Sequence, residues 1–333
     1  MKSLVTGGAG FIGSHTAKHL LNMGHDVIVL DDLSGGYMEN LPEGVRFVKG
    51  SITDNELVQK LFAEEHFDYV YHLAAYAAEG LSHFIRRFNY TNNLIGSINL
   101  INESIKNEVK CFVFTSSLSI YGSNPTPFVE KMNPKPEDPY AISKYAVEKD
   151  ILAAHEMFGM DYVIFRPHNV YGENQNTSDR FRNVIGIFMR QIMENKPMTI
   201  FGDGNQTRAF SYIDDVAPYI AKSIITPRAL NEIINIGADK PTTINHLAEV
   251  VARAFGIELG VEYLPPRYEV FAAYSNHTKA YKIFDVKNYT PLEAGIQVMA
   301  EWVKRTGIRD AQIFRNIEVM KNIPASWKTI IEK

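Results

Sequence analysis

A glycine recurs at every third position in Gly7-Gly-Ala-Gly10-Phe-Ile-Gly13, between a short apolar run at 3–6 and a stretch with helical spacing at 11–23. Standing after a strand and at the mouth of a helix, these glycines restrict the fold more than any other feature of the chain. Gly7 permits the turn, Gly10 lets the backbone approach a pyrophosphate, and Gly13 lets the helix pack on the sheet, so that the anion rests on the helix N-terminus. On their own they would suit a structural turn equally well. Asp31 decides between the two, because it ends the second apolar run eighteen positions after Gly13. A carboxylate there accepts a hydrogen bond from a ribose 2′-hydroxyl and repels a 2′-phosphate. No arginine stands beside it, so the expected cofactor is NAD rather than NADP.

Strand patterns at 3–6, 26–30, 45–48, 69–73, 111–115 and 162–165 alternate with helical ones at 11–23, 56–62, 82–106 and 140–158. The strands are rich in β-branched and aromatic residues without a polar face, as in a parallel sheet covered on both sides. The expected fold class is α/β, a Rossmann-type doubly wound parallel sheet that binds ligands at the carboxyl ends of its strands. After Arg166 the rhythm changes. A polar loop at 174–182 precedes helices at 183–194, 216–225 and 243–255, the last capped by Thr242 or Thr243, and strands at 198–201 and 233–236. This predicts a cofactor domain over 1–168, with crossover elements returning from the second half, and a smaller C-terminal α/β substrate lobe over 169–333. The charged tail at 305–333, which carries Trp327, is expected to pack on the surface and is assigned no chemistry.

Composition narrows the function. With 333 residues, 45% hydrophobic and 22% charged, the chain has room for a large core. A net charge of -4 gives no electrostatic footprint for nucleic acid, and no apolar run reaches membrane-spanning length. Cys111 is the single cysteine; it excludes an internal disulfide, fits a reducing cytoplasm, and within Cys111-Phe-Val-Phe reads as core packing. Met1-Lys2 leads directly into the first strand, which predicts no removable leader. No metal is expected.

The chemistry lies in Tyr140-Ala-Ile-Ser-Lys144. Residues four apart share a helix face. A nearby cation favours phenolate, and lowering a phenol from about 10 to about 7 needs about 4 kcal/mol of differential stabilisation. A lysine alone is a weak source in water; a lysine with a bound cationic nicotinamide in a dry cleft is an adequate one. A surface Tyr and Lys are ordinarily a solvated face. Here Ser117 ends the preceding strand, and the loop from Pro125 to Pro139 leads Tyr140 back to the same cleft, so the chain reads as a redox enzyme moving a proton and a hydride together.

Further motifs complete a pattern: Thr6-Gly-Gly-Ala-Gly-Phe-Ile-Gly13, His72-Leu-Ala-Ala75, Ser116-Ser117 with Tyr121-Gly122, Arg166-Pro-His-Asn-Val-Tyr-Gly172 and Ile200-Phe-Gly-Asp-Gly-Asn-Gln-Thr-Arg208. With Tyr140 to Lys144, the chain resembles, over nearly its whole length, the extended short-chain dehydrogenase/reductases of the nucleotide-sugar epimerase/dehydratase group, and within it the UDP-glucose 4-epimerase-like proteins. The resemblance implies a catalytic set of Ser117, Tyr140 and Lys144. It implies that Gly7, Gly10, Phe11, Ile12, Gly13, Asp31, Asp32 and Ser34 line the adenosine and pyrophosphate, that Ser51 and Ile52 lie beside the adenine, and that Leu73, Ala74, Ala75, Asn93 and His168 complete the cofactor site with Tyr140 and Lys144. Substrate positions are Ser117, Asn169, Asn183, Thr199, Phe201, Arg208 and Arg267. The two arginines offer charge-assisted pairing to a diphosphate and Phe201 an apolar face to a base.

Some positions depart from the pattern. Ser51 stands in place of an aspartate, Ala77 where some 4-epimerases carry lysine, and Ala209 where an aspartate is usual. The segment after Arg267 is one residue short, so the residue that sets the sugar-pocket size falls on Ala273, Tyr274 or Ser275. A small residue admits an N-acetyl sugar, and Tyr274 favours an unsubstituted hexose. The resemblance implies NAD-dependent C4 epimerisation of a UDP-sugar through a transient 4-keto intermediate, and a homodimer formed by the helices at 82–106 and 140–158. The alternatives are another nucleotide-sugar redox enzyme or a non-catalytic NAD-binding regulatory protein. A dehydratase needs an Asp-Glu pair directly after the catalytic hydroxyl residue, and Leu118 and Ser119 stand there instead.

Overall fold

A computed structural model describes residues 1–179, 181–267, 269–286, 288–309 and 316–331. The first half runs β1 (Lys2–Thr6), α1 (Phe11–Asn22), β2 (Asp26–Asp31), β3 (Arg46–Lys49), α2 (Asn55–Glu65), β4 (Tyr69–His72), α3 (Glu79–Ser82), α4 (Arg86–Tyr90), α5 (Gly96–Lys106), β5 (Cys111–Thr115), α6 (Pro139–Phe158) and β6 (Asp161–Pro167). The second half adds β7 (Val170–Tyr171), α7 (Val184–Met193), β8 (Met198–Phe201), β9 (Thr207–Ala209), β10 (Ser211–Tyr212), α8 (Ala217–Lys222), β11 (Glu232–Ile236), β12 (Pro241–Thr243), α9 (Ile244–Phe255), β13 (Val261–Leu264), β14 (Ala272–Ala273), α10 (Thr278–Phe284), α11 (Leu292–Thr306) and α12 (Ala325–Ile331).

Seven strands form one parallel sheet in the order β11-β6-β5-β4-β1-β2-β3. The chain direction across the sheet reverses between β1 and β4, and the crevice above that point is where doubly wound sheets take ligands. Alternate residues of the buried strands face opposite layers: Val5, Val29, Val113 and Phe165 join one core with α1 and α8, and Leu4, Ile28, Phe112 and Ile164 a second with α2, α5 and α6. The stretch at 233–236, read from sequence with the smaller lobe, is the edge strand β11 of this sheet, paired parallel with β6. The lobe itself uses short pairings, β12-β9-β14, β13-β8 and β10-β7, backed by α7, α9 and α11. Among the described residues, no helix is long and apolar enough to cross a membrane.

The single helix expected over 82–106 is broken. Between α3 and α4 the chain leaves helical geometry, with Ile85 at φ -133° and ψ 41°, and residues 91–95 continue into α5 as a π-helical turn. The cause lies in the tail. The Phe84 carbonyl accepts the backbone N–H groups of Glu318 (2.8 Å) and Val319 (3.1 Å), while the Glu318 carboxylate accepts those of Arg87 (2.7 Å) and Phe88 (2.8 Å). A distant carboxylate thus satisfies N–H groups that a new helix start leaves open.

α6 is fixed at both ends of its buried face. Asp138 caps it by accepting from the Ala141 N–H (2.9 Å), with Pro139 at the first helical position. Within the helix, Glu148 accepts from Arg166 Nε (3.0 Å) and Nη2 (2.6 Å), both side chains almost wholly buried; Arg166 Nη1 donates to the Tyr121 hydroxyl (2.7 Å), which donates to Asn235 Oδ1 (2.8 Å). This network joins α6, β6, β11 and the turn after β5. Removing one partner leaves a desolvated charge alone. Glu148→Ala is therefore expected to lower stability by about 3–5 kcal/mol in urea unfolding, and a loss under about 1 kcal/mol would show that the network carries little of the fold.

Candidate active site

A cavity of about 1370 Å³ follows the carboxyl ends of the central strands and continues beneath the C-terminal lobe. Its wall includes, on the α1 side, Gly7, Gly10, Phe11, Ile12, Gly13, Asp31, Asp32, Ser34, Ser51, Ile52, Leu73, Ala74 and Ala75. Ser117, Tyr140, Lys144 and His168 line its middle, and Asn169, Asn183, Thr199, Phe201, Arg208 and Arg267 the part under the lobe. Of the predicted catalytic, cofactor and substrate residues, Asn93 alone does not line it. Asn93 is buried behind the wall, accepting from the Tyr76 N–H (2.8 Å) and donating to the Tyr76 carbonyl (3.1 Å), so it fixes the loop after β4.

The α1 side suits a dinucleotide. Gly7 has φ +71°, and a Cβ on Gly13 would lie 2.1 Å from the Gly7 carbonyl oxygen, so both glycines are obligatory. No side chain caps the N-terminus of α1, and its first N–H groups are left for an anion. Asp31 accepts from the N–H groups of Ala9 (3.0 Å) and Leu33 (2.8 Å). A carboxylate retains lone pairs for ribose hydroxyls beyond these two. Burial pushes the Asp31 carboxyl up, against the pull of these N–H bonds. Two further polar atoms on the wall, Ser116 Oγ and Gln175 Oε1, are buried without a hydrogen-bond partner among the described residues. The sequence marked Ser116 only as part of a motif, without a role, and Gln175 not at all. Ser51 is engaged locally, its hydroxyl 2.9 Å from that of Thr53.

Tyr140 is 8% and Lys144 2% exposed. Lys144 Nζ donates to the carbonyl of Thr115 at the end of β5 (2.8 Å) and lies 4.7 Å from the Phe114 ring centroid and 6.0 Å from that of Tyr140. Ser117 follows on the same strand end, accepting from the Ser119 N–H (3.2 Å) and hydroxyl (2.9 Å). A lysine alone is a weak source of positive charge for the phenol, and the surroundings of this pair accord with that. Burial pushes the Tyr140 phenol well above its ordinary value; the Ser117 hydroxyl draws it down, and Glu79 and Asp138 push it further up. Burial also lowers Lys144 to about 7, against the pull of Glu148. The pair is too desolvated to supply the needed positive charge by itself. A cationic ring beside it would supply the remainder.

His168 sits over the middle of the wall. Its Nδ1 is 3.1 Å from the Ala209 carbonyl, which can only accept, so Nδ1 carries the hydrogen and Nε2 accepts from His277 Nε2 at 3.0 Å. Burial, with His277 beside it, lowers His168 to about 3 and keeps it neutral. His277 is fully buried and bonds the Asp239 carboxylate through its other nitrogen.

Under the lobe, the expected diphosphate arginines share one carboxylate: Arg208 and Arg267 lie 3.4 and 3.2 Å from Glu269. Arg208 also donates to the carbonyls of Thr207, Phe271 and Val270. The Phe201 ring carries the Arg267 guanidinium 4.6 Å from its centroid, so a base stacking there displaces or joins that cation. Asn183 caps α7 and donates to the Val170 carbonyl (2.7 Å); Asn169 donates to that of Ala209 (3.1 Å); Thr199 is tied to Gln191 (3.0 and 2.9 Å). Of the three candidates for the pocket-size position, only Ala273 lines the cavity.

The tail corrects the sequence reading. Residues 310–315, 332 and 333 lie outside the described residues, but part of the rest belongs to the cavity wall. Val319, Lys321, Asn322, Pro324, Ala325, Ser326 and Trp327 line it beside Glu79, Gly80, His83 and Phe84. Trp327 is 5% exposed and meets Phe84 and Phe181 edge-on at 6.1 and 5.3 Å. A lone tryptophan in a charged tail was the available signal, since so large an apolar side chain is rarely left unpacked.

The model of the NAD dependent epimerase/dehydratase family matches residues 3–237. A putative UDP-glucose 4-epimerase of Methanocaldococcus jannaschii is 36% identical over 304 residues, covering 90% of this chain and 98% of the relative. The crystal structure of Thermotoga maritima UDP-glucose 4-epimerase with UDP-glucose superposes with a TM-score of 0.87 at 35% identity, covering 92% of this chain and 99% of that one. A dTDP-D-glucose 4,6-dehydratase of Dictyostelium discoideum is 34% identical over 262 residues, 72% of this chain and 58% of the relative. The chain belongs to the NAD dependent epimerase/dehydratase family, the extended short-chain dehydrogenase/reductases that act on nucleotide sugars. Its cofactor is NAD.

The desolvated lysine gives a test with a definite sign. Between about pH 7 and the ordinary lysine value of 10.5, the unfolded chain holds a proton at Lys144 that the folded chain does not, so this group makes stability rise with pH across that window. Lys144→Met removes the penalty. In urea unfolding of the cofactor-stripped protein the variant is expected to be at least as stable as the parent at pH 7, with its advantage shrinking toward pH 10. A variant less stable throughout would show that the bond to Thr115 outweighs desolvation.

Proposed function

We propose that the chain is an NAD-dependent 4-epimerase of a UDP-sugar, acting through a transient 4-keto intermediate. The observation that carries this reading is the common placement of Ser117, Tyr140 and Lys144 at the strand ends, with Leu118 and Ser119 where a dehydratase needs its acid and base. Tyr140 takes the proton of the C4 hydroxyl and later returns it. Ser117 hydrogen-bonds the reacting oxygen, within reach of Tyr140. Lys144, anchored on Thr115, orients the cofactor ribose and, when protonated, adds positive charge beside the phenol. NAD, when bound, supplies the hydride acceptor and donor. Arg208 and Arg267 hold the diphosphate and Phe201 the base, so the nucleotide stays fixed while the ketone turns its other face. Net oxidation is zero.

Ala273 at the cavity wall supports a pocket wide enough for an N-acetyl substituent. A homodimer through α5 and α6 is part of the reading, supported by the exposed side chains of Ile95, Ile142, Met157 and Phe158 on and beside those helices. A cytoplasmic setting is supported by the single, buried cysteine.

The purified holoenzyme, given a panel of UDP-hexoses, UDP-N-acetylhexosamines and UDP-uronic acids without added cofactor, is expected to convert one of them to its C4 epimer, seen by NMR. A keto product, carbon dioxide or a demand for external NADH contradicts the reading. Tyr140→Phe is expected to keep the fold and bound NAD and to lose turnover by orders of magnitude; a near-normal rate would overturn the mechanism.

A further inference from the structure

One carboxylate on the wall has no role in the chemistry above. Glu79 opens α3, and no hydrogen bond or ion pair engages its carboxyl among the described residues. Its place is fixed from two sides. The Ser82 hydroxyl lies 2.6 Å from the Glu79 carbonyl oxygen and 3.2 Å from Asp138 Oδ1, which ties α3 to the cap of the helix carrying Tyr140. On the other side, Gly80 packs against the tail: a Cβ there would lie 3.2 Å from the Trp327 indole. Glu79 therefore stands between the Tyr140 helix and the tail wall, with its carboxyl open to the cavity.

Its electrostatic neighbours locate it further. Burial, then Asp138, push the carboxyl up to about 7, while Arg208 and Arg267 pull it down; Glu79 is in turn one of the two carboxylates acting on Tyr140. The group is accessible from the cavity, yet protein surrounds it closely enough for this shift. Tyr140 and the two arginines mark out a span of the one cavity that Glu79 also lines. On the reading above, that span is the length of the hexose, from C4 at Tyr140 to the phosphate on C1 at the arginines.

We propose that Glu79 reads the sugar: its carboxylate accepts hydrogen bonds from sugar hydroxyls or an amide N–H, and it turns away sugars that carry a carboxylate of their own. The assignment rests on the UDP-sugar reading and narrows it to neutral sugars, hexoses or N-acetylhexosamines. Above about pH 7, where it is ionised, the Glu79 carboxylate accepts at about four positions and donates at none, which suits a ring of hydroxyl donors. A uronate would bring a second negative charge into the same dry space. Of the cations on this wall, Arg182 is already committed, with Nε 2.5 Å from Asp179 and its guanidinium over the Tyr76 ring, while Lys321 lies on the tail side.

The test is calorimetric binding of UDP, UDP-glucose, UDP-N-acetylglucosamine and UDP-glucuronate to the NAD-loaded protein, for the parent, Glu79→Gln and Glu79→Ala. The parent is expected to prefer the neutral sugars to UDP-glucuronate. Both variants should bind UDP within about twofold of the parent, which reports intact folding, and should reduce the neutral-to-uronate ratio about tenfold or more. A parent that prefers UDP-glucuronate, or a ratio unchanged in both variants, overturns the assignment. A 4-keto-6-deoxy product that disappears in both variants also overturns it, by making Glu79 an acid–base group of an elimination. Discrimination in binding without epimerisation of any sugar would sink the 4-epimerase reading and leave Glu79 as a sugar reader.

Discussion

Burial of Tyr140 and Lys144 in one dry pocket is the constraint around which the site is arranged. Taking both out of water raises the phenol and lowers the ammonium, the reverse of what a phenolate–ammonium pair needs. Ser117 and Arg182 draw the phenol down without overcoming its burial. The protein commits Lys144 to a backbone carbonyl and keeps His168 neutral. On the proposed reading, Tyr140 becomes a base only when a positive ring lies beside it, which would couple proton removal from the sugar to the presence of oxidised cofactor. The carboxylates of Glu79 and Asp138 deepen that coupling by raising the phenol further.

Such a site requires rigid support. The Glu148–Arg166–Tyr121–Asn235 network holds α6 to the far edge of the sheet, and Asp138 holds its start. The tail performs the corresponding service for the opposite wall. Glu318 caps α4, Trp327 fills the space between Phe84 and Phe181, and the residues between them close the cavity beside Glu79.

Local chemistry explains how much the sequence revealed. The glycine loop, Asp31 at the end of β2, and the alternation of apolar strands with amphipathic helices are short-range signals, and they lead to the sheet and the cavity. Helix caps were legible for the same reason: Thr243 accepts from the His246 N–H at 3.1 Å, as one of the two threonines proposed there. What escaped depends on contacts between distant segments. The break at 83–85 is met by Glu318, more than 200 positions away, which accepts from the N–H groups after it, and β11 joins the main sheet by pairing with β6. Ala273 could be separated from Tyr274 and Ser275 only once β14 had a register. Glu79 carries no motif; its significance comes from the groups that α6, β9 and the tail bring around it.

The central claim is that the hydrogen on C4 leaves and returns to the same carbon. A UDP-hexose deuterated at C4, chosen from the sugars the protein accepts and followed by NMR through many turnovers, measures this directly. The account predicts deuterium retained at C4 in both epimers, none in water and none at other carbons, with a slower rate than the protiated sugar. Label appearing at C6 would mean elimination across C4 to C6, and label lost to water would mean proton abstraction at carbon; either result would contradict the account.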